Sequence, residues 1–220
     1  MGYREIGETI PRSSASEWVY QVIRKGIVSG EFKGGMQLKQ DEISEALNVS
    51  HIPVREALRR LESQGLLVIH QNRGAQVRSL TRRNIEDMLE VRASLAVVSL
   101  KNSAGLFTPE DLAEMELCVA EQRQAPDVQT STELNERFHT MLGKYADNPC
   151  ADLFMKLIRD NTDRYLSCHY YSTEEMRNVT ADGHQAIVDA LRAGDTRKAC
   201  DLLWDHIVKS LIYIPEENDL

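Results

Sequence analysis

The stretch VSHIPVREALRRLESQGLL, from Val49 to Leu67, constrains the fold more than any other part of the chain. Apolar residues recur in it at spacings of three and four, a pattern that predicts an amphipathic helix. Ser50 is a suitable N-cap, Pro53 falls in the first turn where its missing N–H is not needed, and Gly65 is suited to end the helix. The apolar face consists of Val54, Ala57, Leu58 and Leu61.

The opposite face of this predicted helix is basic. It carries Arg55, Arg59 and Arg60, with His51 at the N-terminal end. A basic helix with an apolar back and a capped N-terminus is suited to placing side chains in the major groove of DNA. A surface helix without a DNA-binding role would show the same pattern, so the neighbouring segments must decide.

These neighbours predict a winged helix-turn-helix over residues 16–80. A short amphipathic helix in QDEISEAL precedes the basic helix, and Asn48 suits the tight turn between them. LLVIHQNRGAQVRSL follows and predicts a β-hairpin around Arg73 and Gly74. Residues 1–15 are polar and contain Pro11, and we expect them to form a flexible N-terminal arm.

Charge divides the chain in the same way. Residues 1–83 hold 13 Lys and Arg against 9 Asp and Glu, a net charge of +4. Residues 84–220 hold 13 against 25, a net charge of −12, which gives the −8 of the whole chain. A basic first part indicates a polyanionic partner, and an acidic remainder would be repelled by DNA.

Residues 81–220 show helical periodicity throughout and predict an all-α bundle of about six helices. Five of the expected helices span about 82–103, 132–145, 149–170, 173–192 and 196–214, and a further helix begins at residue 108. The predicted fold is therefore mostly α with a small β-hairpin: an N-terminal winged helix-turn-helix followed by an all-α helical bundle.

Three histidines of the bundle project from apolar helical stripes: His139, His184 and His206. Asn135 lies four residues before His139, on the same face of its helix. Burying three imidazoles without a shared partner is costly, and a divalent cation bound by neutral imidazoles would satisfy them together. Three separately hydrogen-bonded core histidines are the alternative, and the spacing leaves both open.

The segment LKQDEISEALNVSHIPVREALRRLESQGLL, followed by NRGAQV, closely resembles the winged helix of the GntR family of bacterial transcription regulators. The resemblance implies a homodimer that binds a pseudo-palindromic double-stranded DNA operator. The residues expected to contact DNA are Ser50, His51, Arg55, Arg59, Arg73 and Gly74.

Individual roles follow from this resemblance. Ser50 is expected at a phosphate, Arg55 at a guanine edge and Arg73 in the minor groove, with Gly74 allowing close approach. Arg59 would position the DNA backbone. Relatives usually carry Arg where this chain has His51, so we expect an unusual operator at that base pair or a phosphate contact only.

The pattern N-x-x-x-H, then GHQAI, then a histidine in the last helix resembles the ligand-binding bundle of FadR-type GntR regulators. Many of these bind a metal through one Asp and three His. The resemblance implies zinc, nickel or manganese at His139, His184 and His206, with Asn135 at the Asp position. An amide adds no negative charge, so we expect weaker metal binding and stronger attraction of an anionic effector.

A small carboxylate is the expected effector. Arg92 falls where this subgroup often carries an arginine that faces the effector, although an exposed helix arginine is the alternative. Arg164 and Tyr165 lie in the middle of a long helix and are expected to line the cavity that binds the effector.

Other sequence features argue against a secreted protein, a membrane protein and an enzyme. The four cysteines form no CxxC pair, and no signal peptide or membrane span appears, so we expect a cytoplasmic protein with no membrane partner. No nucleophile motif, phosphate loop or paired Glu-x-x-His motif indicates an enzyme. The expected function is a ligand-responsive repressor. The alternatives are a regulator whose metal is itself the signal, and a metal-binding enzyme fused to a DNA-binding head.

Overall fold

The computed structural model describes residues 2–8, 14–70, 74–169 and 173–213, with only the backbone at 8, 163–164, 166–169 and 212–213. The chain divides into two compact units, the first ending at Thr81 and the second beginning at Arg82. Each unit has its own core. None of the described helices is both long enough and apolar enough to cross a bilayer.

The first unit is a helix-turn-helix with a small antiparallel sheet. Its strands are β1 (Gln37–Leu38), β2 (Leu67–His70) and β3 (Gly74–Val77), in the spatial order β1-β3-β2. Leu67 pairs with Val77, and Gln37 pairs with Gln76. The predicted hairpin is thus extended by one short strand. The elements are α1 (Tyr3–Glu8), α2 (Ala15–Val28), β1 (Gln37–Leu38), α3 (Gln40–Leu47), α4 (His51–Ser63), β2 (Leu67–His70) and β3 (Gly74–Val77).

Within the predicted flexible arm of residues 1–15, helix α1 corrects the prediction for residues 3–8. Ile6 is buried in the core, and the Trp18 indole donates to the Gly7 carbonyl at 3.3 Å. Tyr3 packs its ring against Phe32 with centroids 4.8 Å apart. The polar composition concealed one apolar pair, Tyr3 and Ile6, that lies on a single helical face and gives this short helix a core to pack on.

The core of this unit forms where α2 packs on α4. Phe32 follows α2, is 3% exposed, and donates its backbone N–H to the Gly26 carbonyl at 2.8 Å. A Cβ atom at Gly26 would lie only 2.3 Å from the Phe32 ring. Gly26 is therefore needed for this ring to reach the core.

The second unit consists of six α-helices in its described residues, as predicted. Helix α7 (Val128–Leu142) begins earlier than expected because the Asp127 side chain caps it, accepting from the Thr130 backbone N–H at 2.7 Å. The helices are α5 (Arg82–Ser103), α6 (Pro109–Arg123), α7 (Val128–Leu142), α8 (Pro149–His169), α9 (Glu174–Arg192) and α10 (Thr196–Lys209), with single 3₁₀ turns at Ala104–Leu106 and Ser210–Tyr213.

The substitution Gly26→Ala is expected to lower the free energy of unfolding by about 1–3 kcal/mol, because the added methyl group overpacks the core against Phe32. Helix propensity alone would favour alanine by about 1 kcal/mol, so the sign of the effect separates packing from propensity. Chemical denaturation measures it.

Gly105→Ala is the matched control, since no atom lies within 4 Å of a Cβ placed there. It should change the free energy of unfolding by no more than about 0.5 kcal/mol. Stabilisation by Gly26→Ala would contradict the packing argument.

Candidate functional site

The predicted recognition helix is α4. Val54, Ala57, Leu58 and Leu61 are at most 1% exposed and hold it on the core. Arg55 and Arg59 are exposed on the opposite face. The helix therefore presents a basic face to solvent because its other face is fully buried.

The N-terminal end of α4 follows a tight turn in which Asn48 adopts a left-handed conformation with φ 52°. Ser50 is the N-cap, but its side chain makes no capping hydrogen bond. The His51 ring turns its Nδ1 atom towards α3, 3.5 Å from the Ser44 hydroxyl and 3.6 Å from an Asp41 carboxylate oxygen. His51 is therefore oriented by the preceding helix while most of its side chain stays exposed.

Two neighbouring residues have roles within the fold. Arg60 pairs with Glu17 at 2.5 Å and lies over the Tyr20 ring, so it ties α4 to α2. Gly74 has a φ of 79°, and a Cβ there would lie 3.3 Å from the Leu38 carbonyl oxygen, so the sheet itself requires glycine. Arg73 lies outside the described residues.

In the second unit the structure brings together the three predicted histidines. The potential ligand atoms of His139, His184 and His206 all lie within 4.8 Å of one another. The Nε2 atoms of His184 and His206 are 3.0 Å apart. Two nitrogens bound to one zinc ion at about 2.0–2.1 Å would lie about 2.8–3.4 Å apart, so this pair has the spacing of metal ligands.

Gln122 on α6 contacts the opposite edge of the His184 ring. The Nδ1 atom of His184 lies 2.8 Å from Oε1 of Gln122. Because an amide oxygen only accepts, Nδ1 carries the proton and Nε2 keeps its lone pair directed at His206. Metal-binding histidines are commonly oriented by such a contact, so Gln122 is a site residue that the sequence gave no reason to select.

Two further residues shape the cluster. Phe138 stacks on His184 with ring centroids 3.9 Å apart and an angle of 16°. A Cβ at Gly183 would lie 2.6 Å from Nδ1 of His206, so glycine allows α10 to bring that ring to His184. A glycine inside a helical pattern was the available sequence signal for this close approach.

Asn135 lies one helical turn before His139 and is 6% exposed. Its Oδ1 atom is buried and has no hydrogen-bond partner among the described residues. An unsatisfied buried acceptor costs about 1–3 kcal/mol, and coordination of a cation would offset that cost. Asn135 and the three histidines therefore fit a divalent metal ion as an oxygen and nitrogen ligand set.

All three imidazoles are neutral in this environment. Burial is the main cause that lowers the pKa of His139 and His184 well below 6.5 and that of His206 to about 4. The positive charge of Arg92 lowers the pKa of His139 and His206 further. Neutral imidazole is the form that binds metal.

The cluster borders a cavity of about 370 Å³ between α5, α7, α8 and α10. His139 belongs to both the cluster and the cavity wall. The lining residues are Arg92, Ala96, Ser99, His139, Thr140, Leu142, Gly143, Lys144, Asp152, Met155, Arg159 and Leu203.

Of the three residues expected to bind the effector, the structure places one in the cavity wall. Arg92 lines the cavity and is 4% exposed, so the alternative of an exposed helix arginine is wrong. Tyr165 is buried on α8 but is not part of the cavity wall. The side chain of Arg164 lies outside the described residues. Sequence reasoning did not select Lys144, Asp152 or Arg159.

Comparison with known families agrees with both units. Residues 15–77 match the family described as bacterial regulatory proteins of the gntR family, and residues 87–209, more than half of the chain, match the FCD domain. The chain is a GntR-family transcription regulator with an FCD domain. Since this family and the relatives below are regulators, the enzyme alternative is wrong.

Sequence similarity to known relatives extends over nearly the whole chain. The HTH-type transcriptional repressor RspR of Escherichia coli K12 is 27% identical over 94% of this chain and 93% of its own. A regulator of the Nta operon from Aminobacter aminovorans is 25% identical over 86% of this chain and 89% of its own. The structure of E. coli McbR/YncC, 21% identical, covers 91% of this chain and 97% of its own with a TM-score of 0.74, which shows a shared fold.

Chelator-treated regulator is expected to lose stability as the pH falls from 7 to 5. The unfolded chain binds protons at histidines near pH 6.5, whereas the folded chain keeps the histidines of the cluster neutral, so stability present above pH 6.5 is lost below it. For His206, with a pKa of about 4, the loss is on the order of 1–2 kcal/mol. Urea unfolding at both pH values measures it.

His206→Gln should weaken this pH dependence by about one proton. His70→Gln changes an exposed histidine of β2 and should retain the wild-type dependence. The same pH dependence in all three proteins would contradict the assignment to buried imidazoles.

Proposed function

We propose that this regulator is a cytoplasmic, homodimeric repressor whose operator affinity is controlled by a small carboxylate bound beside a divalent metal ion in the FCD domain. The observation that carries the proposal is the position of His139, which belongs both to the histidine cluster and to the cavity lined by Arg92 and Arg159. A metal and an anion would meet there.

Ser50, His51, Arg55, Arg59, Arg73 and Gly74 are the proposed DNA-contacting residues. The exposed basic face of α4 supports this assignment for Arg55 and Arg59. The uncapped N-terminus of α4 supports a phosphate contact at Ser50, because backbone N–H groups there attract anions. Arg55 would contact a guanine edge, and Arg60, paired with Glu17, would stabilise the head instead.

A homodimer would place two such heads on the half-sites of a pseudo-palindromic operator. Exposed apolar residues on α5 and α8, which pack on each other, support a subunit contact in the FCD domain. These residues are Val91, Val98, Leu153 and Phe154. The name of the relative RspR supports repression as the direction of control.

Asn135, His139, His184 and His206 would hold the metal, with zinc, nickel and manganese as the candidates. All four ligands are neutral, so a divalent ion would keep its full +2 charge. The bound ion would supply Lewis acidity and an open coordination position for a carboxylate. A ligand that favours one arrangement of the two heads changes operator affinity by the ratio of its affinities for the two states.

A regulator that senses the metal itself is the second candidate. The cavity beside the cluster favours an organic effector, because Arg92 and Arg159 add positive charge where the metal alone would need none. Release of operator DNA by metal alone, with no carboxylate present, would support the second candidate instead.

Apo protein is expected to take up one zinc, nickel or manganese ion per chain, and His139→Ala should abolish uptake at micromolar metal. Gln122→Met removes the acceptor of the His184 N–H and should weaken binding about 10–100-fold. Asn135→Asp should strengthen it, because a carboxylate brings negative charge. Calorimetric titration with each metal measures these affinities.

His70→Gln serves as the control, since His70 lies on β2 in the other unit. Absence of uptake by the wild type, or undiminished uptake by His139→Ala, would refute the metal site.

Arg55→Ala is expected to cost about 1–3 kcal/mol of binding to an operator selected from random DNA, and to relax preference at one guanine. Arg59→Ala should weaken binding to all sequences alike and reduce the salt dependence by about one ion. His51→Ala should lose discrimination at a single base pair. Binding to operators substituted base by base measures all three.

Arg60→Ala is the matched comparison and should lower stability while leaving base preference unchanged, since Arg60 pairs with Glu17. Equal losses at every base pair for His51→Ala would exclude direct base contact by His51.

A further inference from the structure

Two contacts show how helices α5 and α8 are oriented along the cavity. The Arg92 guanidinium lies 3.5 Å from the Thr162 hydroxyl, and Ser103 accepts from the Tyr145 backbone N–H at 3.1 Å, just before α8 begins. Helices α5 and α8 therefore run in opposite directions. A Cβ at Gly143 would lie 3.5 Å from that of Ser99, so the end of α7 meets the same end of α5.

These directions sort the lining residues into an inner and an outer end. Arg92 and Ser99 are seven residues apart on α5, which is about 10 Å along the helix, and Arg159 and Asp152 are equally far apart on α8. The inner end holds Arg92, Arg159 and His139. The outer end holds Ser99, Lys144 and Asp152, and the wall between them is mainly apolar, with Ala96, Met155 and Leu203.

The inner end is buried and positive. Arg92 is 4% exposed and lies in a helical domain whose nearby histidines are neutral. Arg159 pairs with Glu136 at 2.7 Å, which balances part of its charge. A carboxylate group is complementary to this end, as the proposed function requires.

Among the described residues, the outer end holds one cation, Lys144, and its charge is balanced by Asp111. The Lys144 amine donates to Asp111 at 2.5 Å, and the Tyr145 hydroxyl donates to the same carboxylate at 2.9 Å. These contacts lower the pKa of Asp111, with the Lys144 hydrogen bond as the largest cause. Lys144 is thus held by a buried partner.

Asp152 has no ion-pair partner among the described side chains. It lies in the first turn of α8, where the helix N-terminus favours an ionised carboxylate. The outer end therefore offers a hydrogen-bond acceptor with negative charge, whereas the inner end offers positive charge.

We propose that the effector is an elongated monocarboxylate whose far end carries a hydrogen-bond donor, a hydroxyl or an ammonium group, that Asp152 accepts. This inference rests on the proposed carboxylate pocket and adds the chemistry of the other end of the ligand. It disfavours dicarboxylates, because a second negative charge would lie beside Asp152, and Lys144 at that end is already paired with Asp111.

A matched series of acids tests the proposal on zinc-loaded full-length protein by calorimetry. Acetate probes the inner end alone, and hexanoate, 6-hydroxyhexanoate, 6-aminohexanoate and hexanedioate differ only at the far end. We expect the hydroxyl or amino compound to bind at least about threefold more tightly than hexanoate, and hexanedioate at least about threefold more weakly. The tighter of the two donors identifies the group.

Asp152→Asn should remove the penalty on hexanedioate and the preference for the ammonium group. Asp201→Asn, an exposed change outside the cavity wall, should preserve the wild-type ranking. Equal binding of the four longer acids, an unchanged ranking in Asp152→Asn, or binding of acetate alone would overturn the inference and leave the carboxylate pocket standing. Failure of acetate and all four acids to bind would overturn the pocket as well.

Discussion

The Nε2 atoms of His184 and His206 face each other across 3.0 Å inside the FCD domain, and the proposed metal site depends on this contact. The Gln122 side-chain oxygen accepts a hydrogen bond from the Nδ1–H group of His184. The His184 ring therefore directs its Nε2 lone pair, rather than an N–H group, into the cluster. Burial keeps the imidazoles neutral. Helices α6, α7, α9 and α10 thus meet around a group of nitrogen donors.

The same cluster explains why the cavity lies where it does. His139 is shared by both, and the helices that bring it to His184 also bring Arg92 of α5 to one end of the cavity. Neutral ligands around a divalent ion and a buried arginine would make this end strongly attractive to an anion. The net charge of −12 over residues 84–220 would repel DNA, which leaves the basic face of α4 as the one suited to DNA.

Much of the fold was predictable because it depends on local patterns. The apolar spacing of α4, the Thr108 cap with Pro109, and the Asp195 cap each indicate a helix or its start, and the structure confirms them. The short helix α1 was missed because two apolar residues make too weak a pattern to outweigh polar neighbours. Strand β1 has only two residues, which carry little periodicity.

Sequence by itself determined the family, the two units, the basic face of α4 and the three histidines, because each is recorded in local spacing. Only the tertiary structure decided which atoms meet. It placed Gln122 on His184, brought His206 against Gly183, left the Asn135 oxygen without a partner and set Asp152 opposite Arg92 along the cavity. These relations join helices far apart in the chain, and no local pattern encodes the distance between them.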